Sequence, residues 1–213
     1  MIVLTTTQRT PDWYAARIGK LTGSCAADML ATIKSGEAAA RRDLRLRLVC
    51  EQLTGQSQED AFVSKEMQRG IDREADAFRA YEALTGELAR PVGFLGHDSL
   101  LAGCSPDGQV GGFKGIVELK CPKSATHLKY LRSRKVPADY LPQIIHNLWI
   151  TDALWCDFLS FDDRFPAPLH VFHARVRRED VDITAYELAA RLFLSEVEKE
   201  CAEVKQLAEM VAA

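Results

Sequence analysis

No stretch of this sequence approaches the ~20 uncharged apolar residues that a membrane span requires. Its opening, Met1-Ile2-Val3-Leu4-Thr5-Thr6-Thr7, has no basic stretch ahead of an apolar core. A secretory leader is therefore not expected, and a cytoplasmic location in a bacterial or phage-infected cell is. Among the six cysteines (Cys25, Cys50, Cys104, Cys121, Cys156, Cys201) there is no Cys-x-x-Cys pair. That argues against a structural zinc site and, without a leader, against a disulfide framework. Most of these thiols are expected to be reduced, buried and effectively apolar. An excess of positive charge is also missing: 27 Lys and Arg stand against 30 Asp and Glu, for a net charge of −3. A generic basic coat for nucleic acid is thereby ruled out, although a carboxylate metal site with local basic groups is not. Internal repeats, low-complexity tracts and long Pro/Gly/Ser linkers are absent too, so the 213 residues are expected to form one domain over 1–213.

What is present is a chain that is 47% hydrophobic and 27% charged, enough for a substantial core. The first half reads as helical. A short turn is expected at Trp13–Arg17, and Ser24 is placed to N-cap Cys25–Leu30. Longer helices are expected over Glu37–Leu53, ending at Thr54-Gly55, and over Ser64–Leu84, ending at Thr85-Gly86. The centre changes character, with short apolar runs bounded by Gly or Pro at Val92–Leu95, Leu100–Gly103 and Gly115–Cys121 that read as strands. Helices at Ala125–Ser133 and Asp139–Thr151 and strands at Ala153–Phe161 and Leu169–Val176 follow. The chain closes with an amphipathic helix, Ile183–Val211, whose apolar positions include Tyr186, Phe193, Val197, Val204 and Leu207. This order predicts an α/β fold, a mixed central sheet flanked by helices with a long C-terminal helix.

The chemistry concentrates in Ser105-Pro106-Asp107-Gly108 and Gly115-Ile116-Val117-Glu118-Leu119-Lys120-Cys121-Pro122. Alternation along a strand puts Ile116, Glu118 and Lys120 on one face, with Glu118 and Lys120 ~6.5 Å apart. Asp107 sits in a Pro/Gly turn at a distance suited to a hairpin that returns its carboxylate beside Glu118. Two converging carboxylates suit Mg²⁺ or Mn²⁺, and the lysine could orient or deprotonate a water. An exposed ion pair explains Glu118 and Lys120 equally well by itself, and Glu203 with Lys205 repeats the spacing on the C-terminal helix, where a solvated face is the simple reading. A third carboxylate, Glu74, falls on the apolar stripe Met67, Ile71, Phe78, Tyr81, one turn after Gly70. There it needs either a metal or an arginine such as Arg69 or Arg73.

Five segments in one order resemble the lambda-exonuclease or YqaJ-type phage recombination nucleases of the PD-(D/E)xK superfamily. They are Trp13-x-x-x-Arg17-x-Gly19 with Thr22-Gly23-Ser24; Gly70-x-x-x-Glu74; Ser105-Pro106-Asp107-Gly108; Glu118-Leu119-Lys120-Cys121-Pro122; and Tyr140-x-x-Gln143 with Trp149. The resemblance implies the PD-(D/E)xK nuclease fold and a Mg²⁺-dependent exonuclease with two ions per site and Mn²⁺ as substitute. Such an enzyme degrades one strand of linear double-stranded DNA from its 5′ end. It leaves a 3′ overhang for a single-strand annealing protein in recombination, and it works as a ring-shaped homotrimer around DNA. It further implies Asp107, Glu118, the Leu119 carbonyl and Glu74 as metal ligands. Lys120 then positions or activates the attacking water, and Gln143 orients it.

Arg17 and Ser24 match the family's pocket for the terminal 5′-phosphate, and Trp13 is either a core aromatic or a surface for the end base. The prototype's further arginine in that pocket aligns with Thr126, and Lys123 is the expected partial replacement. Two other readings compete. A PD-(D/E)xK endonuclease is disfavoured by an end-phosphate pocket, and a catalytically silent DNA-binding or scaffold subunit has no need of Asp107, Glu118 and Lys120 together. The basic groups Arg41, Arg42, Arg45, Arg47 and Lys129, Arg132, Arg134, Lys135 could track phosphates, with solvated helix faces as the default.

Overall fold

A computed structural model describes residues 1–58 and 64–212, apart from the side chains of Glu66, Met67 and Ala212, so Met67 of the apolar stripe lies outside the described side chains. In chain order the elements are β1 (Ile2–Val3), α1 (Pro11–Arg17), β2 (Leu21–Thr22), a 3₁₀ turn (Gly23–Cys25), α2 (Ala26–Met29), α3 (Ala39–Thr54) and α4 (Lys65–Thr85). Next come β3 (Ala89–Pro91), β4 (Leu95–Gly96), β5 (Ala102–Cys104), β6 (Gly108–Val110) and β7 (Gly115–Lys120). The rest comprises α5 (Ser124–Ser133), α6 (Leu141–Thr151), β8 (Trp155–Phe161), β9 (Val171–Arg177) and α7 (Ile183–Ala212), with short 3₁₀ turns at Ala138–Tyr140, Ala167–Leu169 and Arg178–Asp180.

The strands form a five-stranded sheet in the order β3-β6-β7-β8-β9 and a small four-stranded sheet in the order β1-β4-β5-β2. In the larger sheet β7 and β8 are parallel and the other neighbours antiparallel, so the expected mixed sheet is present. The second sheet was not expected. Its strands are two or three residues long, too short to show an alternation, and of the expected run Val92–Leu95 only Leu95 is in a strand, the rest linking β3 to β4.

Each face of β7 meets a different helix, as its alternation requires. Val117 and Leu119 pack with Ala77 and Tyr81 of α4, whereas Ile116 packs with Ile144 and Leu148 of α6. A third apolar cluster joins α2, α3, α6 and α7 to the small sheet through Leu21, Leu48, Trp149, Phe193 and Val197. Helix α7 buries Tyr186, Ala190, Phe193, Val197 and Cys201, but its later apolar positions Val204, Leu207 and Val211 are exposed. Arg41 and Arg45 of α3 pair with Glu37, and with Glu196 and Glu200 of α7 respectively, so these two arginines join helices. All six cysteines are free, and four are buried. No described helix is long and apolar enough to cross a membrane.

Candidate active site

The two carboxylates converge because the β6–β7 hairpin pairs Gly108 with Val117, which sets Asp107 opposite Glu118. There the ladder opens, and Asp107 Oδ2 accepts the Leu119 N–H at 2.6 Å. A strand residue directs its N–H and C=O to the same side, so the Leu119 carbonyl faces this opening as well. Glu118 is buried, at 1% exposure, yet both its oxygens have donors. Oε1 accepts from the Lys120 ammonium and from Gln143 Nε2 at 2.6 Å, and Oε2 accepts from Asn147 Nδ2 at 3.2 Å. Lys120 Nζ lies 5.2 Å from the centre of the Tyr140 ring. Burial opposes the charge on Lys120, but Glu118 and Asp107 outweigh it and hold its pKa above the ordinary lysine value. Burial first, and then the Glu118 charge, push the Asp107 carboxyl up to about 7. This crowding of like charges is what a divalent cation relieves.

Glu74, through its charge, adds a smaller push on the Asp107 carboxyl. Its partner differs from both arginines named above. Arg69 bonds Asp162 and Asp163, Arg73 pairs with Asp76 and Asp163, and the guanidinium on Glu74 is that of Arg9. Arg9 itself has φ 67°. Among the described residues no group of three or more His, Cys, Asp or Glu stands assembled to hold an ion. The ready donor set is therefore Asp107, Glu118 and the Leu119 carbonyl, all hard oxygens fit for Mg²⁺. Glu74 meets Arg9 through Oε2 alone.

Helix α1 starts with Pro11 after Thr10, whose hydroxyl accepts from Trp13 N. Trp13 is half-buried and outside the core clusters. Its indole N–H donates to Ser105 Oγ at 2.8 Å, and its ring lies under the Arg17 guanidinium, 4.3 Å away. Arg17, Lys20, Thr22 and Arg47 line one small notch together with Tyr14 and Glu51. The expected cap at Ser24 is not made. Ser24 lies inside the 3₁₀ turn, Cys25 occupies the cap position of a four-residue α2, and Ser24 Oγ instead lies 3.2 Å from Thr22 Oγ1. One helical turn offers little dipole, so any anion affinity here rests on side chains. Lys123 is exposed at the start of α5 and is not among the residues lining the notch.

Several supporting residues escaped the sequence reading. Gln8 donates to the Pro106 and Val92 carbonyls and so holds the Ser-Pro-Asp-Gly turn. Glu51 and Gln52 of α3 grip both backbone groups of Gly19: the Gly19 N–H donates to Glu51 at 2.8 Å, and Gln52 donates to the Gly19 carbonyl at 3.0 Å. Gly19 has φ 67°, and a Cβ there would lie 2.7 Å from Gln52 Cγ, so both conformation and space require glycine. Beyond Lys120, buried Asp162 anchors Arg69 and Arg164, which donate to the carbonyls of Cys121 and Pro122. Asn147 alone had a readable signal, because it lies one turn after Gln143 on the same helix face. The buried histidines His127 and His146 hydrogen-bond within the fold, consistent with their lack of ligand spacing.

The chain as a whole is similar to known exonucleases. An alkaline exonuclease from Laribacter hongkongensis is 36% identical, with a TM-score of 0.85 over 95% of this chain and 100% of that one. The same enzyme in complex with dAMP matches equally well. A phage-related exonuclease from Haemophilus somnus 129PT shares the fold, with a TM-score of 0.65 at 15% identity over 90% of this chain and 96% of that one. No curated protein sequence matches. Residues 12–154 match the YqaJ-like viral recombinase domain, a span that holds α1 from its second residue, the notch, the β6–β7 hairpin and all of α6. The chain belongs to the YqaJ-like viral recombinase family.

Proposed function

We propose that this protein is a Mg²⁺-dependent exonuclease that digests linear double-stranded DNA from the 5′ end and leaves 3′ overhangs for a single-strand annealing protein. The observation that carries this reading is the convergence of Asp107, Glu118, Lys120 and Gln143 at the open end of β7. The notch of Arg17 and Thr22 is linked to the same turn through Trp13 and Ser105. Asp107, Glu118 and the Leu119 carbonyl would hold one Mg²⁺, with Mn²⁺ as substitute. A second ion needs Glu74 or oxygens from the DNA. Bound there, the cation supplies charge neutralisation at the scissile phosphate. Lys120 positions the attacking water and balances the carboxylates, while Gln143 holds Glu118 and orients that water. Arg17, with Ser24 and Thr22, receives the terminal phosphate, and Trp13 offers a face to the end base. A homotrimeric ring gives an acidic protein a way to stay on DNA without strong phosphate affinity.

The test is a linear duplex labelled at either the 5′ or the 3′ end, with Mg²⁺ or EDTA, beside closed circular DNA. Mononucleotide release from the 5′ end, abolished by EDTA and absent on the circle, is expected. Release from the 3′ label first, or cutting of the circle, overturns the polarity or the exonuclease reading.

A further inference from the structure

We infer that Asn147 is a positioning residue that couples the end-phosphate notch to Glu118, so that a seated 5′-phosphate is felt at the metal-holding carboxylate. The inference rests on the roles proposed above for Glu118 and for the notch of Arg17.

Glu118 Oε1 has two donors, but Oε2 has the Asn147 amide at 3.2 Å. A carboxylate only accepts, so the Asn147 side chain must turn Nδ2 to Glu118 and Oδ1 away from it. That oxygen abuts Gly23. A Cβ at Gly23 would stand 2.5 Å from Asn147 Oδ1 and 3.4 Å from Gln143 Cγ. Only a residue without a side chain lets α6 come so near the 3₁₀ turn. On one side of Gly23 is Thr22, which lines the notch with Arg17 and Lys20, and on the other is Ser24, whose hydroxyl lies 3.2 Å from that of Thr22.

The Asn147 amide is thus wedged between the phosphate-binding turn and the catalytic carboxylate. It is 1% exposed, so water cannot take its place, and its backbone carbonyl is fixed by Thr151 Oγ1 at 2.6 Å. A shift of residues 22–24 as they close on a phosphate presses on Oδ1, and the rigid amide passes that displacement to Glu118. The path Arg17–Thr22–Gly23–Asn147–Glu118 is contiguous, but contiguity alone is not coupling. A double-mutant cycle measures it.

The experiment uses wild type, Asn147→Leu, the near-isosteric Asn147→Asp, Gly23→Ala, Arg17→Ala and the double variant Arg17→Ala with Asn147→Leu. Each is assayed for kcat and KM on duplexes bearing 5′-phosphate or 5′-hydroxyl. Each is also titrated with Mn²⁺ alone by calorimetry, and thermal melts report folding. In wild type, the phosphate is expected to raise kcat as well as lower KM. In Asn147→Asp and Asn147→Leu the KM benefit should persist while the kcat benefit falls about tenfold, the size of an ordinary coupling, and in Gly23→Ala the kcat benefit should fall likewise. Mn²⁺ affinity should weaken by about tenfold or more in Asn147→Leu and Gly23→Ala, as for other partners that orient a ligand. Removing Arg17 in the Asn147→Leu background should cost little further kcat.

Folded variants that keep the wild-type kcat ratio overturn the coupling. So does an equal fall in kcat on both ends, since Asn147 then merely props Glu118. A wild-type enzyme indifferent to the 5′-phosphate overturns the end-pocket reading and the coupling together, and the unmutated protein alone reveals that case. Should Asn147→Leu not fold, Asn147→Asp and Gly23→Ala probe the contact from its two sides.

Discussion

Asp107 accepts the Leu119 N–H at 2.6 Å, directly across the hairpin from Glu118. One bond therefore both places the first carboxylate and turns the opposite strand's carbonyl into the opening. Asp107→Asn keeps an oxygen acceptor for that N–H but removes the charge facing Glu118. Cleavage should fall by orders of magnitude, while the melting temperature of the metal-free protein stays at or above the wild-type value because two crowded carboxylates become one. Asp107→Ala, Glu118→Ala and Lys120→Ala should be equally inactive. Undiminished Mg²⁺-dependent digestion by Glu118→Ala would remove the site assignment.

The notch predicts a preference for phosphorylated ends. Duplexes with a 5′-phosphate should be digested faster than those with a 5′-hydroxyl, and Arg17→Ala should erase most of the difference. Lys123 lies outside the notch lining, so Lys123→Ala should take away the smaller share. Rates on the two kinds of end, measured for the three proteins, decide the matter.

Glu51 and Gln52 predict an effect at a distance from the DNA. Glu51→Ala frees the Gly19 N–H and with it the turn between Arg17 and Lys20. KM for phosphorylated ends should rise severalfold with kcat close to wild type, the pattern of lost binding rather than lost chemistry. A fall in kcat at constant KM contradicts this role.

His146 predicts a stability profile in acid. Its Nε2 faces the Gly103 carbonyl at 2.9 Å, so Nε2 carries the proton and Nδ1 accepts from Tyr186 Oη at 2.8 Å. Burial depresses its pKa from 6.5 to about 4. The unfolded chain therefore binds a proton in a range where the native state does not. Stability is full above about 6.5 and declines as pH falls toward 4, with a slope approaching about 1.4 kcal/mol per pH unit in the middle of that range. Thermal melts across that range should slope for wild type and flatten for His146→Gln, whatever the variant's stability at pH 8.

Glu203 and Lys205 copy the Glu-x-Lys spacing on the exposed face of α7. Lys205→Ala should leave digestion unchanged, and a marked loss of activity would mean that spacing alone had misdirected the assignment to Lys120.

Much of the site was legible because its determinants are local. Alternation along six residues of β7 put Glu118 on the α6 side and Leu119 on the α4 side, and a Pro-Asp-Gly turn placed Asp107 opposite Glu118. The end of α3 followed from Gly55, which takes the left-handed conformation there, whereas its start lies at Ala39 and not at the expected Glu37. What stayed hidden depends on contacts between distant segments. Arg9 reaches Glu74 across 65 positions, and the Asn147 amide matters only once Gly23 has brought α6 against the 3₁₀ turn. Ser24 misled because its residue type favours a cap, whereas the backbone runs on into a 3₁₀ turn with Cys25 at the cap position. The last apolar positions of α7 matched the helical period as well as the earlier ones did, and periodicity cannot say where the rest of the fold stops covering a face.

The strand that carries Glu118 has neighbours of two kinds, and this orders events during refolding. Its pairing with β6 closes a short hairpin, which forms within microseconds, whereas its pairing with β8 is parallel and waits for α5 and α6 to cross over. Asp107 and Glu118 therefore meet early, and Gln143 and Asn147 arrive only with the crossover. A refolding chain will pass through an interval in which the acidic pair exists without its amide donors, and recovery of nuclease activity will lag behind the spectroscopic return of the hairpin.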